Sequence, residues 1–206
     1  MIFISFEGCE GTGKTTLSTF LWKKMRQKYE VLLTKEPGSD HLTFNTEIRQ
    51  LLFRFYNKID FYTESLLYAA DRTEHLKKTI IPALKKDRIV ICDRYLDSSI
   101  AYQGYARKLG ADLIKKINFL AMQYLPHITF YLDMDPIIGI QRLNIKRKEK
   151  MEYFDLEQNN FHNEVRKGYL ALCKEYPNRI YKINATLPLD KIKSIIEKKI
   201  EELLQK

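Results

Sequence analysis

The chain has 206 residues, 45% of them hydrophobic, and 35 Lys and Arg against 26 Asp and Glu give a net charge of +9. This length supports one sizeable core and is short for two, and no run reaches the roughly 20 apolar residues of a membrane-spanning helix. The start lacks a signal peptide's basic region and cleavage site, and Cys9, Cys92 and Cys173 show neither CxxC spacing nor even pairing, so the sequence predicts reduced thiols in a cytoplasmic protein. Basic residues are spread along the chain, with crowding at Lys146 to Lys150 and a mixed Lys/Glu run at the C-terminus. That pattern reads as a solvated surface suited to a small anionic substrate, and against a nucleic-acid partner.

In chain order, Ile2 to Phe6 is a short apolar strand and Leu17 to Lys28 is free of Gly and Pro, as a helix requires. Between them, Gly8-Cys9-Glu10-Gly11-Thr12-Gly13-Lys14-Thr15-Thr16 fits the phosphate-binding loop that joins a buried strand to a helix. The residue types follow from the chemistry. Glycines let backbone N–H groups turn inward around an anion, and the helix N-terminus adds positive potential. Lys14 can place its ammonium on the β- and γ-phosphates, and the Thr15 hydroxyl can join the shell of Mg²⁺.

A second strand, Val31 to Thr34, closes on Lys35-Glu36-Pro37-Gly38, and Pro-Gly marks a turn. Helical spacing follows over Asp40 to Phe55, with Arg49 off the apolar face, and again over Thr63 to Lys86, where Pro82 kinks or punctuates the end. Arg88 to Cys92 is a third strand ending in Asp93-Arg94-Tyr95. Leu109 to Tyr124 is helical, and His127 to Leu132 is a fourth strand ending in Asp133. A helix opens at Pro136 and runs to the basic stretch, followed by a helix over Asp155 to Lys174. Arg179 to Ile183 is a fifth strand, and Leu189 to Leu204 is a terminal amphipathic helix. Apolar strands alternating with helices predict an α/β domain, a five-stranded parallel sheet covered on both faces.

Open parallel sheets bind ligands at the carboxyl ends of their strands. Glu7, Glu10, Lys35, Glu36, Asp93 and Arg94 all fall there, which predicts that they gather around the phosphate loop. Arg94 and Arg72 have the planar donor forks that clamp a phosphate. Asp93, Glu10 or Glu36 would hold magnesium through water or order the arginines.

Longer stretches resemble one family. Ile91-Cys92-Asp93-Arg94-Tyr95-Leu96-Asp97-Ser98-Ser99-Ile100-Ala101-Tyr102-Gln103-Gly104 is similar throughout to the D-R-Y…A-Y-Q-G signature of bacterial thymidylate kinases, P-loop enzymes of the nucleoside monophosphate kinase group. Thr34 to Ser39 resembles that family's T-R-E-P-G-G segment and Tyr68 to Arg72 its F-A-A-D-R. Tyr131 to Asp133 with Pro136, Phe161-His162 to Gly168-Tyr169, and Asn184 to Thr186 with Pro188 continue the match in order.

The resemblance implies a P-loop fold in one domain over residues 1–206, with a short lid at about 142–154. It implies transfer of the γ-phosphoryl of Mg·ATP to dTMP, and a homodimer packed through helices, with Phe53, Phe55, Tyr56, Leu66, Leu67 and the Leu113 to Leu125 helix as candidate surface. Gly8 to Thr16 would hold ATP phosphates, with Glu10 and Lys14 at the transferred group, and Asn184 and Thr186 beside the adenine. Thr15, Glu10 and Asp93 would serve Mg²⁺. Tyr68 would stack on thymine, Arg72 would contact the base, and Arg94 and Arg49 the acceptor phosphate. Tyr102 would press on the sugar, with Ser98, Ser99, Gln103 and Glu36 also lining the substrate site.

Two positions depart from the family pattern. Lys35 replaces an arginine, keeping charge but losing a fork. Gly11 agrees with the form whose lid supplies an arginine, yet Tyr153 stands where that arginine is expected. An arginine finger is worth about 10³–10⁵ in rate. Arg142, Lys146, Arg147, Lys148 or Lys150 is the expected replacement. The alternatives are a related monophosphate kinase of altered base preference and a nucleotide-binding homologue with weakened catalysis.

Overall fold

In the computed structural model, which describes residues 2–38, 43–146 and 159–205, the apolar runs become β1 (Phe3–Glu7), β2 (Val31–Lys35), β3 (Ile89–Asp93), β4 (Ile128–Asp133) and β5 (Ile180–Asn184). They form one parallel sheet in the order β2-β3-β1-β4-β5. Successive side chains on a strand point to opposite faces. Phe3, Val90, Cys92 and Tyr131 therefore pack on one side with Leu76, Ile80, Tyr95 and Tyr169. Ile4, Phe6, Ile91, Phe130 and Leu132 pack on the other with Leu17, Leu21, Ile192 and Ile196. With both faces covered, the central strands carry no polar alternation, which explains their continuous apolar reading.

The chain leaves central β1 for the edge at β2, returns at β3, and then crosses to β4 and β5 on the other side. This reversal opens a crevice at the carboxyl ends of β1, β3 and β4, where ligands of such sheets bind.

The helices differ from their sequence reading at informative points. α1 (Lys14–Met25) begins at the loop lysine, directly after Gly13 in left-handed conformation (φ 93°). α2 spans Thr43–Arg54. The expected helix over Thr63 to Lys86 is α3 (Phe61–His75), a π-helical turn (Leu76–Ile80) and α4 (Ile81–Lys85). Pro82 has no N–H and its ring crowds the preceding turn, and the Ile81 N–H reaches back five residues to Leu76 O. Asp60 caps α3 by accepting from the Tyr62 N–H at 2.7 Å.

Residues 96–106, to which the sequence pattern assigns no element, form α5 (Leu96–Ser99) and a π-helical segment (Ile100–Ala106). Most of that stretch is buried, so it carries no amphipathic stripe to read. The Leu109 to Tyr124 helix breaks at Asn118 into α6 (Ala111–Ile117) and α7 (Phe119–Met122). α8 (Pro136–Lys146), α9 (Asn159–Glu175) and α10 (Leu189–Leu204) complete the order. Arg147, Lys148, Lys150 and Tyr153, with lid residues 147–154, lie outside the described residues, as does the side chain of Lys146. No helix among the described residues is long and apolar enough to cross a membrane.

Candidate active site

Two adjoining cavities occupy the crevice. The first is lined by Glu10, Gly11, Gly13, Lys14, Thr15, Thr16, Lys35, Glu36, Arg49, Asp93, Arg94, Arg142 and Leu143. Its floor is the loop between β1 and α1. Lys14, buried, donates to Gly8 O at 3.1 Å and Cys9 O at 2.9 Å, and Thr12 Oγ1 donates to Cys9 O at 2.8 Å. Gly11 has a positive φ of 72° and packs against α8, where an added Cβ would stand 2.1 Å from Gly139 O. No side chain fits at position 11 unless α8 moves, so an arginine there is sterically excluded as well as absent.

At the end of β3, Thr15 Oγ1 donates to Asp93 Oδ2 at 2.5 Å. This hydroxyl–carboxylate pair beside the loop is the hard-oxygen donor set that suits Mg²⁺. A phosphate-bound magnesium needs few protein ligands, so the pair fits although no cluster of three or more His, Cys, Asp or Glu is found among the described residues.

The second cavity is lined by Glu10, Glu36, Pro37, Arg49, Phe53, Tyr68, Arg72, Arg94, Tyr95, Ser98, Ser99, Tyr102 and Gln103. Its lining comes from five separate stretches of chain. The Glu36–Pro37 bond is cis. Beyond it Arg49, on α2, donates to Pro37 O at 3.0 Å and lies over the Phe53 ring. Asp71 accepts from Asn45 Nδ2 at 2.6 Å and from the Gly38 N–H at 3.2 Å. It fastens the turn to α2, and burial next to Glu36 pushes its carboxyl up to about 6. Arg72, one residue on, points into the pocket instead. Its Nε donates to Glu36 Oε2 at 2.8 Å and its Nη1 to Asn118 Oδ1 at 2.7 Å. Burial disfavours the Arg72 charge, but Glu36 raises its pKa above the usual guanidinium value. His75 completes this arrangement from α3, with Nδ1 2.9 Å from Glu36 Oε1 and Nε2 2.7 Å from Thr34 Oγ1.

Arg94 joins the cavities and lines both. Its backbone is left-handed (φ 71°), costly for a residue with a Cβ, and its N–H is tied to Phe6 O at 2.9 Å. The guanidinium donates to Glu10 Oε1 at 2.9 Å, Ser98 Oγ at 3.1 Å, Gly8 O at 3.1 Å and Tyr102 OH at 3.2 Å. Tyr102 OH in turn donates to Glu10 Oε1 at 2.6 Å. Burial alone would raise the Glu10 carboxyl, but Arg94 and Lys14 hold it below the usual carboxylate range. Burial, with Arg94 adding to it, lowers the Lys14 ammonium.

Tyr68, Ser98, Ser99 and Gln103 also line the second cavity. Asn184, the last residue of β5, and Thr186, in the turn after it, stand apart, and Asn184 Oδ1 accepts from the Thr186 N–H at 3.0 Å. Arg142 reaches that turn, donating to Ala185 O at 3.0 Å, while also lining the first cavity.

Several partners escaped the sequence reading. Glu7 was legible only as a strand-end carboxylate. It is fully buried and accepts from Tyr95 N at 2.7 Å, Ser98 Oγ at 2.6 Å and Tyr169 OH at 2.9 Å. Burial and the nearby Asp97 push it up to about 7. His75 and Asn118 carried no signal, since a lone histidine or asparagine in a helical run is ordinary. Phe53, expected at a dimer surface, belongs to the pocket wall, and Tyr56 and Leu67 pack around Ile48, Leu52 and Tyr68. Phe55 and Leu66 are exposed.

Residues 6–196 match the family model described as thymidylate kinase. The chain is 57% identical over 206 residues to a thymidylate kinase of Aster yellows witches'-broom phytoplasma, covering 99% of each chain. A thymidylate kinase of Onion yellows phytoplasma gives the same identity and coverage. Among solved structures, a thymidylate kinase from Ehrlichia chaffeensis superposes with a TM-score of 0.75 at 33% identity, over 100% of this chain and 98% of that one.

Proposed function

The chain belongs to the thymidylate kinase family, and from that premise we propose that it transfers the γ-phosphoryl group of ATP to dTMP, giving dTDP and ADP. The observation that carries this reading is the wall the two cavities share. Arg94 and Glu10 line both, so a donor on the phosphate loop and an acceptor in the second pocket would meet across them. The acceptor phosphate oxygen is itself the nucleophile, so no covalent enzyme intermediate is required and catalysis is positioning plus charge stabilisation.

In this proposal Lys14 and the loop N–H groups hold the donor phosphates. Arg94 and Arg49 orient the acceptor phosphate, and Tyr68 offers its ring face to the base. Glu36 keeps Arg72 fixed as a donor at the base edge, and Tyr102 stands at the sugar. Thr15 and Asp93 would hold Mg²⁺, which when bound screens the phosphate charges. Asn184 and Thr186, on either side of the Ala185 carbonyl that Arg142 reaches, would flank the adenine. Arg142, between that turn and the loop, is the described residue suited to supply the charge that Tyr153 lacks. The chain acts as one domain with a lid at about 142–154, and pairs with a second copy through the face carrying Phe55 and Leu66.

A coupled ADP-release assay across dTMP, dUMP, UMP, CMP and thymidine tests the reaction. The expected result is fastest turnover with dTMP and none with the nucleoside. A preference for UMP or CMP overturns the assignment. ATP binding without turnover on any monophosphate would favour the weakened homologue.

A further inference from the structure

Behind the base pocket lies a second layer of polar side chains. Gln103 lines the pocket, and its Nε2 donates to Glu64 Oε1 at 2.9 Å. Glu64 Oε2 accepts from Arg107 Nη2 at 3.4 Å, and the Arg107 guanidinium lies over the rings of Phe61 at 4.3 Å and Phe161 at 4.8 Å. Glu64, Gln103 and Arg107 are 4%, 2% and 8% exposed. An amide can present either end to a ligand, and the two ends have opposite hydrogen-bond polarity. A carboxylate only accepts. The Gln103 NH₂ must therefore face Glu64, and its carbonyl oxygen is the end left for the pocket.

We infer that Glu64 is a positioning residue that sets the polarity of the Gln103 amide, so that the pocket accepts a base carrying a ring N–H and opposes one carrying a bare ring nitrogen. The inference rests on the thymidylate reading of the pocket. Thymine and uracil carry N3–H, whereas cytosine has a lone pair there, which would meet the Gln103 oxygen lone pair against lone pair. Glu64 thus separates dTMP from dCMP and has no bearing on the thymine methyl group.

Arg107 makes the inference testable. Replacing Glu64 by Gln leaves one acceptor where there were two, and the guanidinium claims it because it can only donate. The new NH₂ then faces Gln103, which must turn its own NH₂ into the pocket. For Glu64→Gln the dTMP KM should rise about tenfold, with kcat and the ATP KM little changed, and the dTMP-to-dCMP ratio of kcat/KM should fall about 10- to 100-fold. In Arg107→Met/Glu64→Gln no guanidinium competes, the glutamine carbonyl can accept from Gln103 again, and the ratio should return to near the wild-type value. The double variant also removes both members of a buried ion pair together, so it is expected to fold even where Glu64→Gln alone does not.

A folded Glu64→Gln enzyme that keeps the wild-type ratio, or that loses dTMP and dCMP turnover equally, overturns the inference. So does a double variant whose ratio stays collapsed. The wild-type enzyme run alongside separates the two readings. A wild-type preference for CMP or dCMP sinks the thymidylate assignment and this inference together. A wild-type preference for dTMP with an indifferent Glu64→Gln sinks only this one.

Discussion

On the proposed reading, the two cavities solve the same problem, holding an anion beside a reacting atom, by opposite means. The phosphate cavity is built on a contiguous segment, residues 8–16, whose donors are backbone N–H groups and a lysine at a helix start. The second cavity is assembled from side chains scattered between residues 10 and 103, each held by a buried partner: Arg72 by Glu36, Gln103 by Glu64, Arg94 by Glu10. Backbone donors come with the fold of one loop and need no supporting residues. Side-chain donors in a dry pocket need their charge and orientation fixed, or burial penalises them. The first design depends on close backbone packing, as at Gly11 against Gly139; the second is sensitive to side chains such as Glu64 that lie behind the pocket wall.

That contrast can be broken most severely at Lys14. Lys14→Met should lower kcat by about 10³-fold while calorimetric dTMP affinity stays near wild type, because Lys14 donates within the loop, to Gly8 O and Cys9 O, and does not line the second cavity. Equal loss of dTMP binding would mean that the cavities are one coupled unit.

A lesion in the second cavity should affect binding and stability together. Arg72→Met should cut kcat/KM for dTMP by about 10²-fold with little change in the ATP KM. It also strands the buried Glu36 carboxylate beside His75, at a cost of about 3–5 kcal/mol in denaturant unfolding. A variant of unchanged stability would show that Glu36 finds other compensation.

Glu7 sharpens the comparison through pH. Its folded pKa of about 7 exceeds the ordinary value of 4.5, so the folded state binds more protons than the unfolded state between them. Stability is then full below pH 4.5 and falls as pH rises through 7, by about 3 kcal/mol. Glu7→Gln should flatten that slope in unfolding curves measured across the window. Asp71, pushed up to about 6 by burial, contributes a loss of the same sign over a slightly narrower and lower pH window, and that part remains. An unchanged pH profile in Glu7→Gln would remove Glu7 as its source.

The smallest effect belongs outside both cavities. Lys24 pairs with Glu197 at 2.6 Å with 48% of the lysine side chain exposed. Lys24→Ala should change stability by less than about 1 kcal/mol and leave all kinetic constants alone.

Much of this molecule is determined by local pattern. The five strands follow from continuous apolar runs, the loop from glycine spacing, and the family from the stretch at Asp93 to Gly104. These are signals of contiguous segments, which a sequence carries directly. Local pattern could not reveal which polar groups meet. Glu7 with Tyr169, His75 with Glu36, Arg72 with Asn118 and Glu64 with Gln103 are pairs brought together only by crossover connections and by a helical segment too buried to show a stripe. Position 11 makes the same point within the loop itself. The sequence supplies its glycine, but only the packing of Gly139 against it makes glycine obligatory there. Secondary structure and the loop rest on spacing along the chain, whereas the pairings that fix the second cavity's side chains rest on distances across it.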